Sequence, residues 1–270
     1  MSGFADVETT WASRLGSLRN VVRQSLVRTQ LHEHLEGVET VLDVGCGQGT
    51  QAIELAARGL EVTGVDPSVD LLALAERDAE VRAVDISMLR GTIDDLDDLL
   101  PGRTFDLVCA HGLLMYLPDP EKAVRQLAQR VAPGGVLSFT VRNGEALAYR
   151  PGVRGDWEAT LRAFDADTYT NELGVRATAH RLEEALAWCR GVGYEIEAWY
   201  GVRVFTDGVD PGARPDDDTL AACLKAEDEA GRRDPYRRLA SQLHVIARAR
   251  GSRAVAQNAS RGWRRMKGRA

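Results

Sequence analysis

Between residues 41 and 141 the chain alternates short, nearly continuous apolar runs with stretches whose apolar positions recur every three to four residues. The first pattern predicts buried strands and the second amphipathic helices. Strands are expected at 41–44, 60–65, 86–90, 105–110 and 136–141, and later at 194–205 and 243–249. Helices are expected at 50–58, from a Ser68 cap through Ala79, and at 121–130, 180–190 and 219–230. Upstream, residues 5–36 read as helices, with Val22, Leu26, Leu31 and Leu35 as an apolar stripe ending at Gly37. Strands joined through helices of this length require parallel crossovers. The expected fold is therefore α/β: an open, doubly wound, Rossmann-like sheet of seven largely parallel strands beneath an N-terminal helical cap.

Residues 144–178 break the rhythm with Gly, Pro, Arg, Asp and scattered aromatics. They predict an excursion over the carboxyl edge of the sheet, where such folds bind ligands. Residues 208–218 read as an insertion within the same unit. A chain of 270 residues suits one large core. The expected layout is a single domain over 1–250, divided into a cap (1–40), a cofactor half (41–143) and a substrate half (144–250), with a basic, flexible tail at 251–270.

Composition changes this picture in two places. With 44% hydrophobic and 27% charged residues the chain is globular, not disordered. It has no apolar run long enough to cross a membrane and no basic-then-apolar start, which predicts a cytoplasmic protein. The net charge of −6 conceals an asymmetry: residues 245–270 carry eight basic and no acidic side chains, whereas the first 244 hold 26 basic against 40 acidic ones. Such a body argues against a broad nucleic-acid surface, while the tail, with Trp263 among its arginines, suits either RNA phosphates or a merely solubilising end. The four cysteines (46, 109, 189, 223) form no close pair of the kind that marks zinc or redox centres.

The chemistry concentrates at Gly45-Cys46-Gly47-Gln48-Gly49, between a strand and a helix. Backbone free of side chains approaches a ligand closely there, and a helix N-terminus adds donors. The loop lacks the Gly-Lys-Ser/Thr of a phosphate-gripping P-loop. A dinucleotide reading stays open, because Gly47-x-Gly49-x-x-Ala52 fits the loose fingerprint and Asp66 stands about where a ribose-binding acid would be. Against it, the Asp43 carboxylate at the mouth of the loop would repel a pyrophosphate and suit an ammonium or sulfonium. Asp66 is placed to accept from two ribose hydroxyls. S-adenosylmethionine answers both carboxylates and carries no phosphate.

The stretches Val41 to Gly49 and Val65-Asp66-Pro67-Ser68 resemble motifs I and II of class I S-adenosylmethionine-dependent methyltransferases. Residues 89–96, with Thr92, Ile93 and Asp94, resemble that family's adenine-binding segment, and Phe105 to Val108 resemble the opening of motif IV. A closer resemblance, covering about 16–248, is to the tRNA 5-carboxymethoxyuridine methyltransferases. It rests on Asn20 to Gln24, Phe105 to Pro120, Pro133 to Ser138, Asn143, Gly201 to Phe205 with Asp207, Asp234-Pro235-Tyr236, and His244 with Ala247-Arg248. It implies that Arg23 reaches the cofactor's carboxylate and that His111 lines the cofactor near its methyl end. Two pairs depart from that family: Met115-Tyr116 stand where an acidic-aromatic pair is expected, and Ser241-Gln242 where an Arg-Tyr pair is.

Methyl transfer to a carboxylate needs no base, since the nucleophile is already ionised. Arg203, with Tyr236, Arg142 and Tyr149, is expected to orient an anionic acceptor, either on tRNA or on a small molecule. The alternatives are a small-molecule O- or carboxyl methyltransferase and a noncatalytic S-adenosylmethionine-binding regulator. No metal site is expected. His32 and His34 point about 200° apart on a helix, and Asp94, Asp95, Asp97 and Asp98 interleave with leucines as the solvated side of a short helix. A plain structural role is also open to Arg203, by pairing with Asp207.

Overall fold

The computed structural model describes residues 17–170, 174–210 and 212–251. The helix expected before residue 17 and the basic tail with Trp263 lie outside them. Seven strands form one sheet: β1 (Thr40–Val44), β2 (Glu61–Asp66), β3 (Ser87–Arg90), β4 (Phe105–Ala110), β5 (Val131–Arg142), β8 (Tyr194–Val202) and β9 (Gln242–Ala249). Their order is β3-β2-β1-β4-β5-β9-β8. Only β9 runs antiparallel to its neighbours, inserted between β5 and β8. A separate hairpin pairs β6 (Thr168–Thr170) with β7 (Arg176–Thr178).

Adjacent residues of the central strands enter opposite cores, as a sheet covered on both faces requires. Leu42, Val108 and Leu137 pack on one side under α5 (Pro120–Ala128) and α8 (Leu182–Gly191). Val41, Leu107 and Val136 pack on the other under α2 (Thr50–Ala56) and α1 (Leu18–His32). Val22 and Leu26 of α1 also meet Val202 and the apolar face of α9 (Asp217–Arg232). Helix α3 (Val69–Val81) starts where expected, with the Ser68 hydroxyl accepting from the Leu71 N–H at 3.1 Å.

Two expectations need correction. The fifth strand begins at Val131, not Val136: Phe105 pairs with Val131 and Leu107 with Val136, so Pro133-Gly134-Gly135 form a bulge inside the strand instead of a turn before it. Gly134 at φ +78° supplies that bulge, and a side chain on Gly135 would press on the Asp106 carbonyl. The strand from Tyr194 ends at Val202 because Arg203 adopts φ +65°, a left-handed conformation that closes the ladder. The excursion at residues 144–178 contains α6 (Tyr149–Val153), α7 (Trp157–Ala163) and the β6–β7 hairpin.

Candidate active site

The glycine loop leaves β1 with Gly45 at φ +72°, Gly47 at +56° and Gly49 at +73°, a run that side-chain-bearing residues rarely adopt. The Gly45 N–H donates to the Val65 carbonyl at 2.8 Å, which ties the loop to the end of β2. Asp66 completes the bracing: one carboxylate oxygen accepts from the Gly47 N–H at 2.8 Å and the other from the Ser68 N–H at 2.9 Å. Asp66 therefore fixes the shape of the cradle from behind, buried at 7% exposure and outside the lining of the cleft itself.

The loop walls a small cleft of about 90 Å³, open to solvent. Arg23, Asp43, Gly45, Cys46, Gly47, Gln48 and His111 all line it, so seven of the residues singled out in the sequence meet in one place. Gln24, Gln51 and Thr50 line it too, although their types and positions gave no reason to choose them. Gly49 sits behind the loop as the residue before α2, where a side chain would overlap Ala75 at 2.8 Å. Thr92, Ile93 and Asp94 follow β3, whose Arg90 pairs with Asp66 across the sheet. Ile93 is buried there. Thr92 is engaged with Asp95, and Asp94 with Lys122 and Gln126. Pro67 is exposed beside Asp66.

The electrostatics of the cleft select a zwitterion. Asp43 is 3% exposed, and burial together with the nearby Asp66 pushes its carboxyl up to about 7. It is an acid waiting for a cation. Arg23 reaches in from α1, held by two hydrogen bonds to Asn20 Oδ1 at 2.8 and 3.1 Å. Burial, then the neighbouring Arg203, lower it to about 10, which leaves it charged at neutral pH. Gln48 Oε1 and His111 Nδ1 are buried and without partners. An ammonium for Asp43, a carboxylate for Arg23, and donors for the two unpartnered acceptors describe the amino acid end of S-adenosylmethionine. A pyrophosphate would face Asp43, with Asp66 close by, as like charge. Burial and the acids Asp43 and Asp66 push the Cys46 thiol well above its usual range, so it stays a neutral wall residue.

A second group lies at the other half of the carboxyl edge. Because β9 is inserted antiparallel, its first residues arrive beside the carboxyl ends of β5 and β8: Arg142 and Val202 both pair with Gln242. Arg142, Arg203, Asp207 and Ser241 converge there. Asp207, 2% exposed, lies 3.2 Å from the Arg203 guanidinium and 3.7 Å from that of Arg142, and those two cations hold it below the usual carboxylate range against its own burial. The Ser241 hydroxyl accepts from Arg203 at 2.5 Å and also from Arg142. The Arg142 guanidinium stacks 4.9 Å from the Tyr169 ring. Pairing of Arg203 with Asp207 is thus real, yet the buried Nε groups of both arginines have no partner. Tyr236 stands apart, 48% exposed and packed edge-on against Phe205 at 6.2 Å. Tyr149 is half-buried at the start of α6 and makes no hydrogen bond to either arginine.

Glu227 holds this corner together, and the sequence reading passed over it. It is 1% exposed on α9 and accepts from the N–H groups of Val204, Phe205 and Thr206 and from the Thr206 hydroxyl, at 2.6–3.1 Å. That nest fixes the segment after the left-handed Arg203. Its trace was an acid at 227 continuing the apolar stripe of Leu220, Cys223 and Leu224 toward Ala230. Among the described residues no group of His, Cys, Asp and Glu is arranged to hold a metal. His34 instead bonds Glu197 and Tyr200, both at 2.9 Å. No described helix is long and apolar enough to cross a membrane.

Comparison with known proteins agrees with the cleft. A family described as a methyltransferase domain matches residues 42–137. The ubiquinone biosynthesis O-methyltransferase of Alkalilimnicola ehrlichii is 34% identical over 151 residues, covering 51% of this chain and 60% of that protein. The enzyme of the same name from Azotobacter vinelandii is 32% identical over 165 residues, covering 61% of this chain and 68% of that protein. The chain thus spans about three fifths of the length of several of these relatives, as in the 60% and 64% covered in Alkalilimnicola ehrlichii and Coxiella burnetii. Magnesium protoporphyrin IX methyltransferase from Synechocystis, solved with bound S-adenosylhomocysteine, superposes with a TM-score of 0.60 at 16% identity, over 92% of this chain and 95% of that one. A [4+2]-cyclase, SpnF, shares the fold at a TM-score of 0.58 and 20% identity, over 84% of this chain and 81% of that one. The family match, the sequence likeness to these relatives and the shared fold place the chain in the class I S-adenosylmethionine-dependent methyltransferases.

Proposed function

We propose that this methyltransferase acts on an anionic oxygen acceptor, a carboxylate held by Arg142 and Arg203, and that the carboxymethoxy group of a modified tRNA wobble uridine is the specific candidate. The observation that carries the reading is that the buried Arg142 and the partly buried Arg203 share the single carboxylate of Asp207, each with an unspent, buried Nε–H donor. A buried surplus cation is costly, and an entering carboxylate offsets that cost with charge-assisted hydrogen bonds. Burial and then the charge of Arg203 lower the pKa of Arg23 on the wall of the cleft, a proximity that supports reading the two groups as one site.

The chemistry balances without a base. With S-adenosylmethionine held by Arg23, Asp43 and the glycine loop, a carboxylate held by Arg142 and Arg203 would take the methyl group as sulfur kept the bonding electron pair, giving a methyl ester and S-adenosylhomocysteine. No proton moves. When bound, the cofactor supplies the activated methyl; this chain's residues orient the nucleophile and exclude water. His111, held down at about 3 by burial and by Arg23, is a neutral and weakly basic neighbour. The tRNA assignment rests on the family resemblance of residues 201–207 and 234–236, to which the exposed Phe205–Tyr236 pair adds a surface suited to stacking a base.

The printed name of the curated relatives favours a second reading, O-methylation of a small molecule in the same cleft. Labelled S-adenosylmethionine offered to tRNA with and without the modified uridine, and to small-molecule extracts, separates the two. Incorporation into modified tRNA alone supports the first, and labelling of extracts alone the second. Retained cofactor affinity with no turnover would leave a noncatalytic binding protein. Arg203→Ala is expected to raise the acceptor's KM at least tenfold with cofactor affinity unchanged, as loss of a charge-assisted pair implies; collapse of cofactor binding instead would sink the assignment of Arg203.

A further inference from the structure

One buried polar chain starts at the cofactor cleft and runs beneath α1 to the edge strand β8. His111 Nε2 lies 2.8 Å from Ser138 Oγ, which lies 2.8 Å from His244 Nε2; His244 Nδ1 lies 2.9 Å from Gln30 Oε1. The Gln30 amide nitrogen donates to the Gly201 carbonyl at 3.1 Å. Gln30, Ser138 and His244 are each 0% exposed.

Donor and acceptor bookkeeping fixes every proton in this chain. A backbone carbonyl only accepts, so the Gln30 NH₂ must face Gly201 and its oxygen must face His244. His244 Nδ1 then carries the proton. Deep burial beside His111 and His34 holds His244 neutral, so its Nε2 is an acceptor and takes the Ser138 hydroxyl proton. The Ser138 oxygen in turn accepts from His111, whose proton therefore sits on Nε2. Nδ1 is left as a lone pair on a ring that lines the cleft, and it is buried without a partner. Arg23, on the same wall, opposes a second proton on that ring.

We infer that Ser138, His244 and Gln30 are positioning residues that lock His111 in the Nε2–H tautomer, so that its Nδ1 holds out a neutral acceptor to the ammonium group of the bound cofactor. Asp43 supplies the charge for that ammonium and His111 a directed hydrogen bond. Gly201, at the other end of the chain, is two residues from Arg203, so the relay joins the cofactor side of the sheet to the segment that carries the acceptor clamp.

The inference rests on the cofactor assignment, and its test separates the two. In the full chain labelled with ¹⁵N-histidine, and without any ligand, long-range proton–nitrogen correlation is expected to show His111 protonated at Nε2 and His244 at Nδ1. A proton on His111 Nδ1 would overturn the relay. Calorimetry then compares S-adenosylhomocysteine with its deaminated analogue. Ser138→Ala frees the tautomer and is expected to weaken the first ligand about tenfold, in line with losing a hydrogen bond to a charged group, and to leave the second unchanged. His111→Asn, which keeps an oxygen near the place of Nδ1, is expected to retain the preference that His111→Phe loses. Equal weakening of both ligands in Ser138→Ala would reduce the chain to a structural role and overturn the inference. If the unaltered protein bound neither ligand, the cofactor assignment would fall, while the tautomer measurement would still decide the relay.

Discussion

Asp43 is the residue on which the cofactor site turns. Its carboxyl titrates at about 7 in the folded chain, well above the ordinary 3.8, because burial and Asp66 both oppose its charge. A raised acid is a liability to the empty fold: the stability present below about pH 4 is lost as pH rises toward 7. A cationic ligand reverses the preference by favouring the ionised form. Affinity for S-adenosylhomocysteine is therefore expected to increase up to about tenfold per pH unit as pH rises toward 7, and to level off above it. Calorimetry between pH 5 and 8, in buffers of different ionisation enthalpy, would register proton release below pH 7. Asp43→Asn should abolish that release and weaken binding at pH 8 by about tenfold or more, the scale of a lost hydrogen bond to a charged group. Arg203 is legible in a different way: its φ of +65° is an outlier for a residue with a side chain, and it sits where the guanidinium meets Asp207.

At the scale of elements, the corner proposed to hold the acceptor is built by three pieces far apart in sequence: the end of β5, the segment after β8, and the start of β9. Helix α9 secures the second of them through Glu227. Gly201 is required on that strand because a side chain would meet Ala240 at 2.7 Å and the Arg237 carbonyl at 2.8 Å. Asn143 secures the third piece, donating to the Arg238 and Ala240 carbonyls at 2.9 Å from a fully buried position. Glu227→Gln places an NH₂ among N–H groups that need an acceptor. It is expected to cost about 2–3 kcal/mol of stability in urea unfolding and to raise the acceptor's KM more than that of the cofactor. Equal effects on both Michaelis constants would show that the nest supports the whole sheet and not this corner. The strands and helices themselves were largely legible, because parallel strands covered on both faces are read from apolar runs alone. The bulge at Pro133-Gly134-Gly135 was not, since glycine marks a turn and a bulge alike.

For the whole molecule, ligand binding and folding are one equilibrium. At a concentration of S-adenosylhomocysteine one hundred times its Kd, linkage contributes about 2.7 kcal/mol. For a chain of this size that amounts to a rise in melting temperature of roughly 5–10 °C. Nicotinamide dinucleotides are expected to give no shift, and a scanning fluorimetry series would check both. The rate with a carboxylate acceptor should stay flat between pH 6 and 9 once both substrates saturate, because no base has to be unprotonated and Asp43 is already ionised in the loaded enzyme. A rate that climbed across that range would point to a hydroxyl acceptor and favour the small-molecule reading. The net charge of −6 does not choose between acceptors, since the local balance at Arg142, Arg203 and Asp207 is positive within an acidic chain.

The sequence by itself determined the class of fold, the glycine cradle and the carboxylates at its mouth, because these depend on residues near one another along the chain and on the period of their burial. It also named Arg23, His111 and the segment of Arg203 through resemblance, and Arg142 as a candidate for orienting an anionic acceptor. Only the tertiary structure decided what those groups do to one another. The insertion of β9 between β5 and β8 brings Ser241 to both arginines. The burial of Glu227 turns an acid on a polar helix into an anchor, and the line from His111 through Ser138 and His244 to Gln30 spans elements more than two hundred residues apart. Long-range pairing of polar groups leaves almost no periodic trace in a sequence, because each needs one partner in space and not a repeating neighbour.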